Sequence, residues 1–405
     1  MSAEPEGGAP TTVAARMQTY LAAGGLVTPL ITVLVAFLVG GLVVALTGRN
    51  PISTYGAIFD GTGLNWFLPW IGGQDRTIAA LNLQQTLIIT TPLILTGLAV
   101  AFAFRCGMFN IGGQGQYIVG SIMAVWVASS FEGMPALLHV LFSILAAIAG
   151  GLVWGAIAGL LKATTGAHEV ISTIMLNWIA LWTGIWLFGL GGPLQNDVEE
   201  SLPVSNEVLE SARLPVFWGD PVLQGLHVGL FIAIAAVLVF WVVLNRTRFG
   251  YEVRAVGFNP EAARAAGISV TRNYVLAMGV CGLFAGLAGS LDVLGWQFRL
   301  ATNDIQISQI GFIGIAVALL GRNTAIGVLF SALLWGALVT GTSVRNLDPA
   351  VFEPALASNL TLMIQGLVIL FVSADILIAY LWKMRSRIRR RPEGPEGAVL
   401  EARAG

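Results

Sequence analysis

Residues 104–120 read FRCGMFNIGGQGQYIVG. Glycines, an arginine, an asparagine and two glutamines interrupt sequence that is almost purely apolar on both sides. A run of this kind is a phosphate-cradling loop, a break in a membrane helix, or a soft point in a packed core. The surrounding composition separates these readings. Of 405 residues, 56% are hydrophobic and 11% are charged, against about 25% charged in an ordinary soluble domain. With a mean hydropathy of +0.79, the chain has more apolar surface than one aqueous globule can bury, so lipid must solvate much of it.

Apolar runs of about 20 residues mark helices long enough to cross a bilayer. They fall at 25–47, 83–104, 112–131, 138–162, 169–190, 226–245, 273–295, 306–320, 324–343 and 359–382. The expected fold is all-α, a polytopic membrane protein of about ten transmembrane helices. Spans 112–131 and 306–320 are the weakest, one interrupted by glycine and glutamine and the other short. The expected organisation is a disordered cytoplasmic N-terminus (1–24), a transmembrane domain (25–382) and a basic cytoplasmic tail (383–405). Residues 1–24 carry no signal-peptide pattern.

Charge sets the expected orientation. With the N-terminus inside, sixteen Lys and Arg fall on inner segments and five on outer ones, as the positive-inside rule requires. Six of the sixteen lie in KMRSRIRRR (383–391), which pins the C-terminus inside. The loop 191–225 carries Asp197, Glu199, Glu200, Glu207, Glu210 and Asp220 against Arg213, as an outer loop should. Trp66, Trp70 and Trp218 fit an interfacial aromatic belt on that side.

Several chemistries are excluded. A P-loop needs a lysine directly after glycine, and the two lysines, Lys162 and Lys383, follow Leu161 and Trp382. A dinucleotide fold needs its glycines between a strand and a helix, whereas GGQG lies between two spans. His139, His168 and His227 show no ligand spacing. His168 and Glu169 read instead as the inner end of a span, and Cys106 and Cys281 imply no disulfide framework. No nucleophile–base pair stands out, so the chain reads as a non-enzyme without cofactor or metal, and nothing in it points to nucleic acid. Few ionisable residues lie within spans, Asp292 and Asp375 among them. Uncharged amides dominate, which suits a neutral, hydrogen-bonding solute or interhelical hydrogen bonding. Gly151, Gly155 and Gly159 repeat every four residues and make one smooth face for close helix packing.

The inner loop 246–272 contains Pro260 at a helix start and then EAARAAG, a short helix stopped by Gly267. Glu261-Ala262-Ala263 followed by Gly267 resembles the coupling loop of ABC-importer permeases, which seats in a separate ATPase subunit. FRCGMFNIGGQGQ (104–116), HEVISTIMLNWIA (168–180), RAVGFNPEAARAAGI (254–268) and GFIGIAVALLGRN (311–323) resemble the same family, permeases of the branched-chain amino acid, ribose and nucleoside type. The first two pieces are most similar to the longer permease of nucleoside systems that work with a basic-membrane-protein-type lipoprotein. The family usually has glutamate where this chain has Gln114.

The resemblance implies an importer permease in a bacterial plasma membrane. It implies a cytoplasmic ATPase that binds the ATP, a second permease subunit of different sequence and an extracytoplasmic solute-binding lipoprotein. Nucleosides are the expected solute, with a monosaccharide or branched-chain amino acids as alternatives; an ion-coupled secondary carrier and a non-transporting membrane scaffold are the readings from other classes. Candidate pathway residues are Asn110, Gln114, Gln116, Asn177, Trp178, Gln309, Phe312 and Gln365; Glu261, Ala262, Ala263 and Gly267 are the candidate coupling residues. GQGQYIVGSIMAVWV and ISQIGFIGIAVALLG, both amide-and-glycine openings to an apolar span, suggest two structural repeats.

Overall fold

The computed structural model describes residues 27–220 and 225–343, together with residues 359, 362, 363, 366, 367 and 370. Gln365, Asp375, residues 1–24, the basic tail and nearly all of the span expected at 359–382 lie outside the described residues. Two units are distinguished, one of residues 40–363 and one of residues 1–39 with 364–405. In the second unit the described part is chiefly the start of helix α1 (Val27–Leu46), which exposes Leu30, Leu34 and Leu38 every fourth residue.

In the larger unit the chain runs through α2 (Pro51–Thr62), α3 (Gly73–Arg105), α4 (Gly113–Ser130), α5 (Ala136–Thr165) and α6 (Glu169–Phe188). A loop with a two-stranded ribbon, β1 (Val216–Trp218) antiparallel to β2 (Leu226–His227), leads to α7 (Gly229–Arg246). Two short helices, α8 (Arg248–Phe258) and α9 (Pro260–Ala265), precede α10 (Val270–Asp292), which ends in a π-turn over Val293–Gln297. Helices α11 (Thr302–Ile307), α12 (Ile310–Leu320) and α13 (Ala325–Gly341) complete the described part.

Among the described residues, six segments are long and apolar enough to cross a membrane: 73–105, 136–165, 169–188, 229–246, 270–297 and 302–320. The chain is therefore an all-α polytopic membrane protein. Helix α3 begins ten residues before the expected 83, because GQDRTIAALN continues the helix past the apolar stretch. Helix α2 was not expected; Asn50 caps it by accepting the Ile52 N–H at 2.9 Å, and Pro51 supplies its first turn. The span at 306–320 is two helices, α11 and α12, interrupted at residues 308–309.

From Pro92 on, helix α3 is apolar nearly all round, with Leu93–Leu95 and Leu98–Ala103 completely buried, as expected of a core helix. It packs on α10, α12 and α13. The closest helix pair is α5 with α10, along the glycine repeat. A Cβ on Gly151 would strike the Gly282 carbonyl, one on Gly155 the Met278 carbonyl, and one on Gly159 the Tyr274 carbonyl. Gly282 and Gly286 of α10 return the contact against Gly151 and Ala147. Side-chain-free faces on both helices bring the backbones together, where van der Waals contact replaces the hydrophobic drive that lipid removes.

The two ends of the bundle differ in charge. At the basic end Lys162 pairs with Glu169 at 2.5 Å across the α5–α6 turn, and His168 caps α6. Arg105, closing α3, donates to the Asn323 carbonyl at 2.8 and 3.0 Å. At the other end lie the acidic loop 191–220, the Trp66–Trp218 ring pair at 5.4 Å and the ribbon.

Replacing Gly155 or Gly282 by leucine is expected to abolish the monodisperse detergent-solubilised species, since neither collision is with a movable side-chain tip. Gly56→Ala, in open space within α2, should leave it intact and stabilise it by about 0.5–1 kcal/mol, read by size exclusion and thermal melting.

Candidate functional site

The glycine-rich run and its second-half counterpart meet in the interior. Helix α4 starts at Gly113 and runs toward the acidic end, where the Ala128 carbonyl accepts the Leu209 N–H at 3.1 Å. Helix α12 starts at Ile310 and runs the opposite way, ending beside Asn323 and Arg105. Their N-terminal ends touch: a Cβ on Gly311 would overlap the backbone of Gln114. The first N–H groups of a helix have no partner within it, and hydrocarbon offers no water to supply one.

Amide side chains fill that role, because a carboxamide both donates and accepts. Gln114 accepts the Gly311 N–H with Oε1 at 2.9 Å and donates from Nε2 to the Ser308 carbonyl at 2.9 Å. It thereby stands in for backbone on both sides of the α11–α12 interruption. Asn177, on α6, does the same for the start of α4: Oδ1 accepts the Gly115 N–H at 2.8 Å, and Nδ2 donates to the Ile111 carbonyl at 3.0 Å. Asn110 accepts the Gly112 N–H at 2.9 Å and donates to Gln116 Oε1 at 3.0 Å. All four amides are buried. Gly115 is required here, since a Cβ would press on Asn177.

The eight candidate pathway residues thus fall into two described groups and one remainder. Asn110, Gln114, Gln116 and Asn177 form the clamp. Trp178, Gln309 and Phe312 are exposed and adjoin it in sequence: Trp178 follows Asn177, Gln309 lies in the interruption that Gln114 bridges, and Phe312 is in the first turn of α12. Gln365 lies outside the described residues. In the coupling loop, Asn259 caps α9 by accepting the Glu261 and Ala262 N–H groups at 2.9 and 3.1 Å, and Gly267 ends the turn at φ +82°. Glu261 and Ala262 are exposed, Ala263 is buried, and Phe258 beside them is 92% exposed.

A second buried polar cluster lies toward the acidic end. Asp292 accepts from Tyr117 of α4, from the Trp296 indole and, at 3.0 Å, from Gln297 Nε2. The π-turn brings Trp296 and Gln297 back onto the carboxylate, a local rewinding that often marks functional segments. The acidic loop is bonded along this turn: Ser205 N–H to Leu300, Val208 N–H to Phe298 and Leu214 N–H to Leu294, all at 2.7–2.9 Å. A lone aspartate in an apolar span was a visible signal; its distant partner Tyr117, and the π-turn that folds the nearby Trp296 and Gln297 onto it, were not. A tryptophan every fourth residue, at 178, 182 and 186, was equally visible, although the candidate set contained the first alone.

An all-helical apolar chain whose interrupted helices meet inside it belongs to the architecture of membrane transport proteins. The chain is a member of the family described as branched-chain amino acid transport system / permease component, which matches residues 82–373. It is 37% identical to the guanosine ABC transporter permease protein NupP of Bacillus subtilis, over 88% of this chain and 95% of the relative. It is 33% identical to the nucleoside ABC transporter permease protein NupB of Lactococcus lactis, over 86% and 91% of the two chains. A glucose ABC transporter permease protein of Haloferax volcanii is 35% identical over 85% and 86%. The family consists of permease subunits, which are not themselves enzymes, and such a subunit works in an ABC transport system with an ATPase.

Gln114→Met keeps the size but strips both hydrogen-bonding groups, leaving the Gly311 N–H and the Ser308 carbonyl unpaired. A destabilisation of about 1–3 kcal/mol per orphaned group is expected, seen as a lower melting temperature in detergent. Gln114→Glu keeps the acceptor and, when ionised, loses the donor, so its loss should be smaller and should grow as pH rises. A Met variant that melts with the wild type would remove the clamp role.

Proposed function

We propose that this chain is the translocating subunit of an ATP-driven importer of nucleosides. The observation that carries the neutral-solute reading is the chemistry around the two helix starts: residues 106–116, 172–182 and 305–316 hold amides, hydroxyls and aromatic rings and no charged side chain. A path with that lining suits an uncharged solute that forms hydrogen bonds and stacks, and it argues against a proton-coupled carrier, which needs ionisable groups along the path. Similarity to guanosine and nucleoside permeases over nearly the whole chain favours nucleosides. Similarity to a glucose permease keeps monosaccharides as the second reading.

In this reading about ten spans form two repeats, and both termini are cytoplasmic in a bacterial plasma membrane. The excess of Lys and Arg on one side supports that orientation. The ATPase seats on α8–α9, where exposed Phe258, Glu261 and Ala262 offer an aromatic anchor beside a short rigid helix. A different permease completes the path, and a solute-binding lipoprotein delivers at the face of the acidic loop. Closure of the ATPase on ATP pushes α9. Because α9 joins α8 and α10, and α10 packs along α3, α4 and α5, the push reaches the clamped helix starts.

The test is co-purification of the chain with its ATPase and ATP-dependent uptake in vesicles. Phe258→Ala with Glu261→Arg should lower ATPase recovery and uptake by roughly tenfold or more, the range of an interface anchor, while the permease still folds. Unchanged assembly and uptake, or uptake driven by an ion gradient without the ATPase, would overturn the proposal.

A further inference from the structure

The glycine-rich run opens on a tight turn, Arg105–Gly107, at the basic end of the bundle, and three chain junctions converge on it. Gly107 takes φ +72°, a conformation that glycine adopts without strain. Its backbone meets that of Gly257, the penultimate residue of α8. A Cβ on Gly257 would strike the Arg105 carbonyl and stand 2.9 Å from the Gly107 nitrogen; one on Gly107 would stand 3.1 Å from the Gly257 Cα and carbonyl oxygen. Arg105 itself directs both Nε and Nη2 at a single acceptor, the Asn323 carbonyl. Arg322 and Asn323 turn the chain from α12 into α13, each at φ +53°, where non-glycine residues are uncommon. The third junction is the start of α10. Cys106 is buried with its thiol 3.9 Å from the Asn273 carbonyl, and Asn273 Nδ2 reaches Glu252 of α8 at 3.4 Å.

Position along the chain gives this turn its reach. Phe258 and then α9, which offer the ATPase seat, follow Gly257 directly. On the other side α4 starts at Gly113, six residues after Gly107. That short connection holds Asn110, bonded to Gly112 and Gln116. Helix α12 begins at Ile310 beside Gln114 and ends at Leu320, just before the Arg322–Asn323 turn. Its eleven residues make a rod about 16 Å long. The two helices whose starts meet inside the protein are thus both tied to one turn, α4 by the chain leading into it and α12 by its far end. A route through α10 is less direct, because α10 is locked to α5 by backbone contact along the glycine repeat and shifts only with it.

We propose that Arg105 is a positioning residue that transmits movement of the ATPase seat to the two interior helix starts. The proposal rests on the importer reading above and names the residues through which closure of the ATPase acts. Backbone against backbone at Gly107 and Gly257 leaves no side chain to yield, so a shift of α8 moves the turn with it. The guanidinium carries the shift to Asn323 through two charge-assisted hydrogen bonds, the stronger kind, from a planar fork whose geometry is fixed. Residues 108–112 carry it to α4. Solute never touches Arg105; its part is to make hydrolysis and opening of the path one event.

The test reconstitutes the whole assembly in vesicles, with its partner permease, ATPase and binding protein, and measures ATP hydrolysis and uptake of labelled guanosine in the same preparation. Arg105→Lys keeps the charge but exchanges the fork for a single-point donor. It should cut uptake per ATP hydrolysed about tenfold, the effect of one lost charge-assisted hydrogen bond, while ATPase recovery and hydrolysis stay near the wild type. Gly257→Ala, which wedges the backbone contact open by one methyl group, should lower the same ratio. Arg246→Lys, exposed at the same end of the bundle, is the control and should match the wild type. A merely structural role for Arg105 lowers yield and melting temperature but leaves the ratio of the surviving assemblies unchanged, and that result would overturn the proposal. A lysine variant that loses the ATPase during purification would also overturn it, in favour of a docking role. A wild-type assembly without ATP-dependent uptake would sink the importer reading and the proposal together, whereas an active wild type with an unchanged ratio in Arg105→Lys sinks the proposal alone.

Discussion

A helix that begins inside hydrocarbon exposes N–H groups that nothing in the solvent can satisfy. In this protein two helices begin that way, α4 and α12, and their starts abut. Gln114 and Asn177 resolve the problem by lending a donor and an acceptor each to a neighbouring backbone. The rest of the arrangement follows from that exchange. It ties α6 to α4 and α4 to α12, so three segments from distant parts of the chain share one polar joint. The joint also makes an interruption tolerable: α11 and α12 can remain two helices because the gap between them is bridged.

Glycine performs the complementary task. Where polar groups hold helix starts, bare backbone holds helix flanks, and α5, α10 and α4 approach until a single added carbon would collide. Such contacts leave little freedom between these helices, so motion has to occur elsewhere. Helix α8 is held in the same way, Gly250 against the end of α7 and Gly257 against the end of α3, which leaves the exposed face of α6, the interruption at 308–309 and the short helix α9 outside these contacts. A permease must move solute without exposing backbone to lipid, and a division between locked flanks and clamped interruptions meets that demand. The Asp292 cluster and the loop bonded to the π-turn hold the acidic end in the same manner, through backbone and side-chain hydrogen bonds.

Much of the fold was legible in one dimension. Apolar length located α4–α7, α10 and α13 to within a few residues, and the four-residue glycine repeat on α5 named the face that packs. Pro260 and Gly267 bracketed α9. Less legible were α2, too short and mixed to register as a span, and the first turns of α3, where polar residues continue a helix that hydropathy alone would end. The amides show the limit most clearly. Polarity at 110, 114, 116 and 177 is equally compatible with facing a solute and with bonding to backbone, because a carboxamide serves both. Choosing between the two needs to know which backbone groups are orphaned nearby, and Gly311 is almost two hundred residues from Gln114.

The sequence by itself determined the solvent, the helical class and the family, since hydropathy, span length and local motifs are carried by neighbouring residues. The tertiary structure decided which residues are joint and which are surface. It buried the amides, left Trp178, Gln309 and Phe312 exposed, and brought Tyr117 to Asp292. Those outcomes depend on contacts between segments far apart along the chain, where a side chain's role is set by what the fold leaves unpaired beside it.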